Sequence, residues 1–227
     1  MNFTPFAYFN PTLSTTASVS FIGTTYSAAA SVTYTFTNVN LGGSGLCVVC
    51  VHGEISGLSG RSVNSVSVGG VAATLATQVS SGLNATGTNA AIFYIRQTST
   101  TGNVVIVFNS PGVSRCLISV YRIQDNNSDT PYLTNSSHVS NGTGRTYTFT
   151  DAEINSVGIC IETMGLDTVT GVAWTNATLN YNVGSAPLGA TRTTGASFTT
   201  TSGGTRTVSV SHTNSTQPLA AAGALWK

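Results

Sequence analysis

The amino-acid sequence predicts an all-β fold of antiparallel strands, and three observations predict it. β-branched and aromatic residues alternate with polar ones at a period of two, and no stretch shows a helical period. Clusters of Gly, Ser and Asn punctuate the alternating runs. Charged residues make up only 7% of the 227 residues, against about 25% in an average soluble domain, so Ser, Thr, Asn and Gly must solvate the exterior. Such a surface suits one that is partly covered. Disorder is excluded, because disordered chains combine low hydrophobicity with high net charge, whereas here the mean hydropathy is +0.18 and the formal net charge +1.

The clearest strands are expected at Val32 to Thr37, Leu46 to His52, Val63 to Val68, Ala90 to Arg96, Val104 to Phe108, Leu117 to Ile123, Thr146 to Thr150, Ser156 to Glu162, Thr178 to Val183 and Thr205 to His212. Gly69-Gly70 between two alternating runs signals a tight hairpin. The apolar run from Leu219 to Trp226 is strand-sized and too short to span a membrane. Gln124 to Gly144, opening on Gln124-Asp125-Asn126-Asn127-Ser128-Asp129-Thr130-Pro131, reads as a long surface loop. Residues 1–16 differ from the rest: Phe3, Phe6, Tyr8 and Phe9 lie close to Pro5 and Pro11 with little alternation, the pattern of an N-terminal arm.

An internal repeat is visible without gaps. Thr33-Tyr34-Thr35-Phe36-Thr37 recurs as Thr146-Tyr147-Thr148-Phe149-Thr150, and at the same offset Gly45-Leu46-Cys47 recurs as Gly158-Ile159-Cys160. Residues 102–107 loosely parallel residues 204–210. Two similar halves of four strands each predict one jelly-roll-like antiparallel sandwich over residues 17–227. The alternative is two tandem sandwiches split near residues 124–144.

The run Val66-Ser67-Val68-Gly69-Gly70-Val71-Ala72-Ala73-Thr74, followed by Ala91-Ile92-Phe93-Tyr94, Thr101-Gly102-Asn103-Val104-Val105-Ile106-Val107 and Val120-Tyr121-Arg122-Ile123 with Thr130-Pro131, resembles jelly-roll-like sandwich proteins among the structural proteins of tailed bacteriophages. These include head decoration and tail proteins. The resemblance covers residues 17–227, with the closing apolar run as the last strand. Its motifs are hairpin glycines and core positions, so it implies a fold and a structural role and carries over no functional residue.

Partners are bounded by charge. Lys227 is the only lysine, and Arg61, Arg96, Arg115, Arg122, Arg145, Arg192 and Arg206 are scattered singly, so no basic stripe follows a phosphate backbone and nucleic acid is not an expected partner. Neither is a membrane. Met1-Asn2-Phe3 begins without the basic and apolar regions of a signal peptide, which reads as an unprocessed cytosolic start. Cys47, Cys50, Cys116 and Cys160 are then expected as reduced, buried thiols, and the Asn-x-Ser/Thr triplets carry no glycan.

Cys47-Val48-Val49-Cys50-Val51-His52-Gly53-Glu54 is the most chemical-looking segment. Residues three apart in a strand point to opposite faces, so Cys47 and Cys50 cannot chelate one metal, while Cys50 and His52 share a side. No second Cys or His pair completes four ligands, and packed strand residues are the expectation. His52-Gly53-Glu54 resembles half of a zinc-deaminase signature, but its cysteines precede rather than follow. The oxygen-rich Asp125 to Asp129 segment has Thr130 and Ser136 where a calcium loop places Gly and Glu, so an Asx-rich turn is expected. Among the three histidines and seven carboxylates no spacing forms a nucleophile elbow or a glycosidase pair. Trp174, Trp226 and the tyrosines suit core packing, with a sugar-binding platform as the rival use.

The expected function is therefore a non-enzymatic bacteriophage virion component, a head decoration or cement protein or a tail component. It is expected to be made in the host cytoplasm, to assemble with other virion proteins and as homo-oligomers, and to need no cofactor or metal. Phe3, Phe6, Tyr8 and Phe9 would dock the arm on a neighbour. The rival class is a lectin-like carbohydrate-binding module.

Overall fold

The computed structural model describes residues 16–56, 61–81, 86–109, 113–140, 142–165, 169–184, 191–213 and 218–227. The arm residues Phe3, Phe6, Tyr8 and Phe9 lie outside the described residues. The fold is all-β, and every strand pairing is antiparallel. In chain order the strands are β1 (Ser18–Ser27), β2 (Thr33–Asn40), β3 (Gly45–Ser56), β4 (Val63–Val68), β5 (Val71–Ala72), β6 (Thr74–Ser80), β7 (Thr86–Gln97), β8 (Thr101–Phe108) and β9 (Val113–Gln124). They continue as β10 (Leu133–Val139), β11 (Gly144–Ala152), β12 (Val157–Met164), β13 (Thr170–Thr175), β14 (Thr178–Val183), β15 (Arg192–Thr199), β16 (Gly204–Thr213) and β17 (Leu219–Trp226).

These strands form four sheets, not the two of a single sandwich over residues 17–227. The first half supplies an inner sheet, β1-β9-β3-β7-β6, and an outer sheet, β2-β8-β4-β5. The second half supplies an inner sheet, β10-β17-β12-β15-β14, and an outer sheet, β11-β16-β13. Replacing each strand of the first half by its counterpart in the second reproduces the order in both sheets, with only β5 left over. The repeating unit is thus a whole pair of sheets, rather than half of one pair. The recurrent Thr-Tyr-Thr-Phe-Thr motif marks β2 and β11 in the outer sheets, and the following Gly-x-Cys motif marks β3 and β12 in the inner ones.

Alternation places the cores. On β3, Cys47, Val49 and Val51 pack with Tyr34, Phe36, Val66, Ile106 and Phe108 of the first outer sheet. Leu46, Val48 and Cys50 point the other way, into a central core with Ile159, Ile161, Ala220, Ala222, Ala224 and Trp226 of the second inner sheet. A third core lies between the second pair of sheets and holds Tyr147, Phe149, Cys160, Phe198, Val208 and Val210. The layers therefore stack outer, inner, inner, outer, with the two inner sheets face to face. Strands buried on both faces read as continuous apolar runs, which is why β12 and β17 are buried at every residue. Three of the four alanines of β17, Ala220, Ala222 and Ala224, share the central layer with the bulky Tyr94 and Tyr121.

Local signals explain several elements. Gly69 and Gly70 have φ of 60° and 85°, the left-handed pair that a two-residue hairpin between Val68 and Val71 demands. Five strands, β1, β6, β10, β13 and β15, escape the sequence reading. β1 carries a bulge between Phe21 and Gly23 that interrupts its alternation. The expected loop between Gln124 and Gly144 contains β10, whose inward positions Leu133, Asn135, Ser137 and Val139 are only half-buried. With two apolar residues in seven, β10 forms because the fully apolar β17 supplies its ladder without a register shift.

Candidate functional site

The segment Cys47 to Glu54 lies on β3, and its side chains divide between faces as alternation requires. Cys47 enters the core of the first sandwich and Cys50 the central core. All four thiols are buried and free. Burial pushes Cys47 up to about 11 and Cys50, Cys116 and Cys160 higher still, so the thiols are protonated at neutral pH.

His52 shares the Cys50 face and crosses the central layer. Its Nδ1 lies 2.7 Å from Thr163 Oγ1 and its Nε2 2.6 Å from Tyr181 Oη. Thr163 donates its hydroxyl proton to the Asn89 carbonyl at 2.9 Å, so it accepts from His52, which fixes the proton on Nδ1. Nε2 then accepts from Tyr181, and Tyr181 accepts from Ser119 Oγ at 3.0 Å. The direction of every bond follows: Ser119 to Tyr181 to His52 to Thr163 to the Asn89 carbonyl. Ser119, His52 and Asn89 belong to the first half, Tyr181 and Thr163 to the second. Burial lowers the His52 pKa to about 3, so the ring stays neutral and the chain unidirectional. Two residues further along the same face, Glu54 accepts from Arg115 beside it and from Thr191 of the second half. The chemical-looking segment thus pins the two halves together.

A second polar pair sits in the core of the second half. Glu162 on β12 and His212 on β16 approach to 3.6 Å, with both side chains fully buried, and among the described residues neither carboxylate oxygen nor either ring nitrogen has a hydrogen-bond partner. Loss of solvation raises Glu162 to about 8 and lowers His212. At neutral pH the pair is therefore held as two uncharged groups.

The loop before β10 forms the expected polar turn. Asn126 Nδ2 donates to the Ser128 carbonyl at 2.7 Å and the Thr130 amide donates to Ser128 Oγ at 3.2 Å. Arg96 Nε donates to both Asp129 oxygens at 2.9 and 3.0 Å, and this bonding lowers the Asp129 pKa. The oxygens that a calcium ion would need are thus engaged with the protein itself. Among the described residues no cluster of three or more His, Cys, Asp or Glu side chains is arranged to hold a metal.

Neither tryptophan presents an open ring. Trp226 is fully buried beside Tyr94, with centroids 6.3 Å apart, and its indole donates to the Asp129 carbonyl. Trp174 stacks on Tyr147 at 5.8 Å and donates to Thr194 Oγ1 at 2.9 Å. A cleft of about 290 Å³ opens elsewhere, where the bulges of β1 and β2 lie side by side; Thr24, Thr25, Thr37, Asn38 and Asn40 line it, with Ile22 and Val39 at its base. Sequence reading missed this cleft, and the positive φ of Asn38 is a feature that only Asn at that position hints at.

No protein-family model, no curated protein and no solved structure matches this chain.

Proposed function

We propose that this chain is a non-enzymatic structural component of a bacteriophage particle, a head decoration or tail protein assembled from repeated copies, and that each half is a jelly-roll unit. The fold reading is supported by strand order, since β1-β9-β3-β7 facing β2-β8-β4-β5 is the arrangement of two interleaved Greek keys. The observation that carries the functional reading is the chemistry of the two outer faces. Thr33, Thr35, Thr37, Ser65 and Asn103 are exposed on one outer sheet, and Thr146, Thr148, Thr150, Thr205, Thr207 and Ser211 on the other. Net charge ordinarily holds soluble proteins apart; faces of hydroxyls and amides let copies pack closely without like-charge repulsion. Ionisable groups in the interior, such as the His52 chain, serve cohesion between layers.

The cleft at the β1 and β2 bulges favours one second reading, binding of a neutral carbohydrate, because hydroxyl and amide groups over an apolar floor suit a polyol. The two are separated by quantifying the protein in purified particles. A fixed stoichiometry to the major shell or tail protein is expected. Absence from particles, together with selective glycan binding that Asn38→Ala abolishes, would replace the first reading by the second.

A further inference from the structure

Each of the four sheets has two edges, and an open edge is a row of unpaired amides and carbonyls that invites another strand. Seven of the eight are blunted. β1, β2, β6, β11, β13 and β14 each carry a register shift against their single neighbour, a bulge that breaks an edge's regularity, and β5 is only two residues long. The exception is β10. It pairs with β17 over seven residues, Leu133 to Val139, with no shift, it contains neither Pro nor a charged side chain apart from titratable His138, and among the described residues nothing pairs with its other side. Its residues are alternately half-buried and exposed throughout.

We propose that β10 is an assembly edge whose occupant is β10 of a second copy, antiparallel about a two-fold axis at Ser136, so that the β10-β17-β12-β15-β14 sheets of the two copies become one continuous ten-stranded sheet. The strand is complementary to itself in this register. Ser136 meets its own mate, Thr134 faces His138, Asn135 faces Ser137, and Leu133 faces Val139, which pairs the two apolar residues on the same face of the sheet. Leu133 is already packed at the margin of the core between the second pair of sheets and Val139 against Met164 and Leu219, so the pairing extends this apolar packing across the axis. No charge opposes its like, and a two-fold contact of one surface with itself closes at the dimer. The inference stands on edge geometry and does not depend on the particle reading.

Sedimentation of the full chain and of two single variants tests it. The parent is expected to sediment at twice its 23.2 kDa. Ser136→Lys and Ser136→Asp, each placing like charges opposite one another at the axis, are expected to sediment as monomers with unchanged circular dichroism, and an equimolar mixture of the two is expected to regain the dimer. Hydrogen exchange on the unmodified chain gives an independent reading: the β10 amides that point towards β17 stay protected at any concentration, whereas those that point away from it are protected in concentrated solution and exchange on dilution. A monomeric parent, a dimer that survives Ser136→Lys, a mixture that stays monomeric, or exchange of those outward amides that ignores concentration would each overturn the proposal.

Discussion

Glu162 occupies a position whose equivalent in the first half is a hydrophobe: the offset that aligns Cys47 with Cys160 aligns Val49 with Glu162. Both are fully buried, but Val49 costs nothing to desolvate, while a carboxyl without a partner costs several kcal/mol if ionised. The sign of the resulting pH dependence follows from the direction of each shift. Glu162 is raised from 4.5 to about 8, so its contribution is complete below pH 4.5 and is lost as pH rises towards 8. His52 is lowered from 6.5 to about 3 and His212 is lowered as well; their contribution is complete above pH 6.5 and is lost as pH falls. Two histidines outweigh one carboxyl between these limits, which places maximum stability near pH 6.5. Denaturant midpoints measured across pH should therefore decline on both sides, with an alkaline loss of roughly 2 kcal/mol by pH 8. Glu162→Gln should remove that alkaline decline and leave the acid limb in place; an alkaline limb unchanged in the variant would show that Glu162 is not its source.

At the level of strands, the pairing of β14 with β15 shows how backbone shape serves the polar chain. Tyr181 lies opposite Gly195, and a Cβ at Gly195 would overlap the Tyr181 ring. The missing side chain lets the ring lie flat against the sheet and bring its hydroxyl to His52. Gly195→Ala is expected to displace Tyr181, leave a buried imidazole nitrogen unpaired and destabilise the protein by about 1–3 kcal/mol, readable as a lowered thermal midpoint; an unaltered midpoint would mean that the ring has room to shift. Part of this was legible in the sequence. Alternation alone put His52 on the side of Cys50 and away from Cys47. Its partners were not legible, because Thr163 and Tyr181 are 111 and 129 residues away in the chain and nothing local distinguishes them from other Thr and Tyr residues. β10 was hidden for a different reason: Thr, Asn, Ser and His on a half-buried edge carry little of the apolar signal by which strands are recognised.

Across the whole molecule, the repeat was visible in β2, β3, β11 and β12, more loosely in β8 and β16, and hidden in the remaining strands. β3 and β12 are the middle strands of their inner sheets, packed on both faces, and β2 and β11 send Tyr and Phe into the outer cores; these demands restrict the residues allowed. Other counterparts have diverged, as where Arg122 on β9 corresponds to Gly223 on β17 through their pairing with Cys47 and Cys160. The short motif therefore suggested half a sandwich when it marked a whole one. A stack of four sheets, cohesive through its central layer and bearing hydroxyls and amides on its outer faces, suits the proposed role of a repeated particle component. Electron cryomicroscopy of purified particles tests that claim most directly. Density fitting this four-layered stack, repeated by the symmetry of the shell or tail, is expected; a fully interpreted particle with every density assigned to other chains would contradict the proposed role.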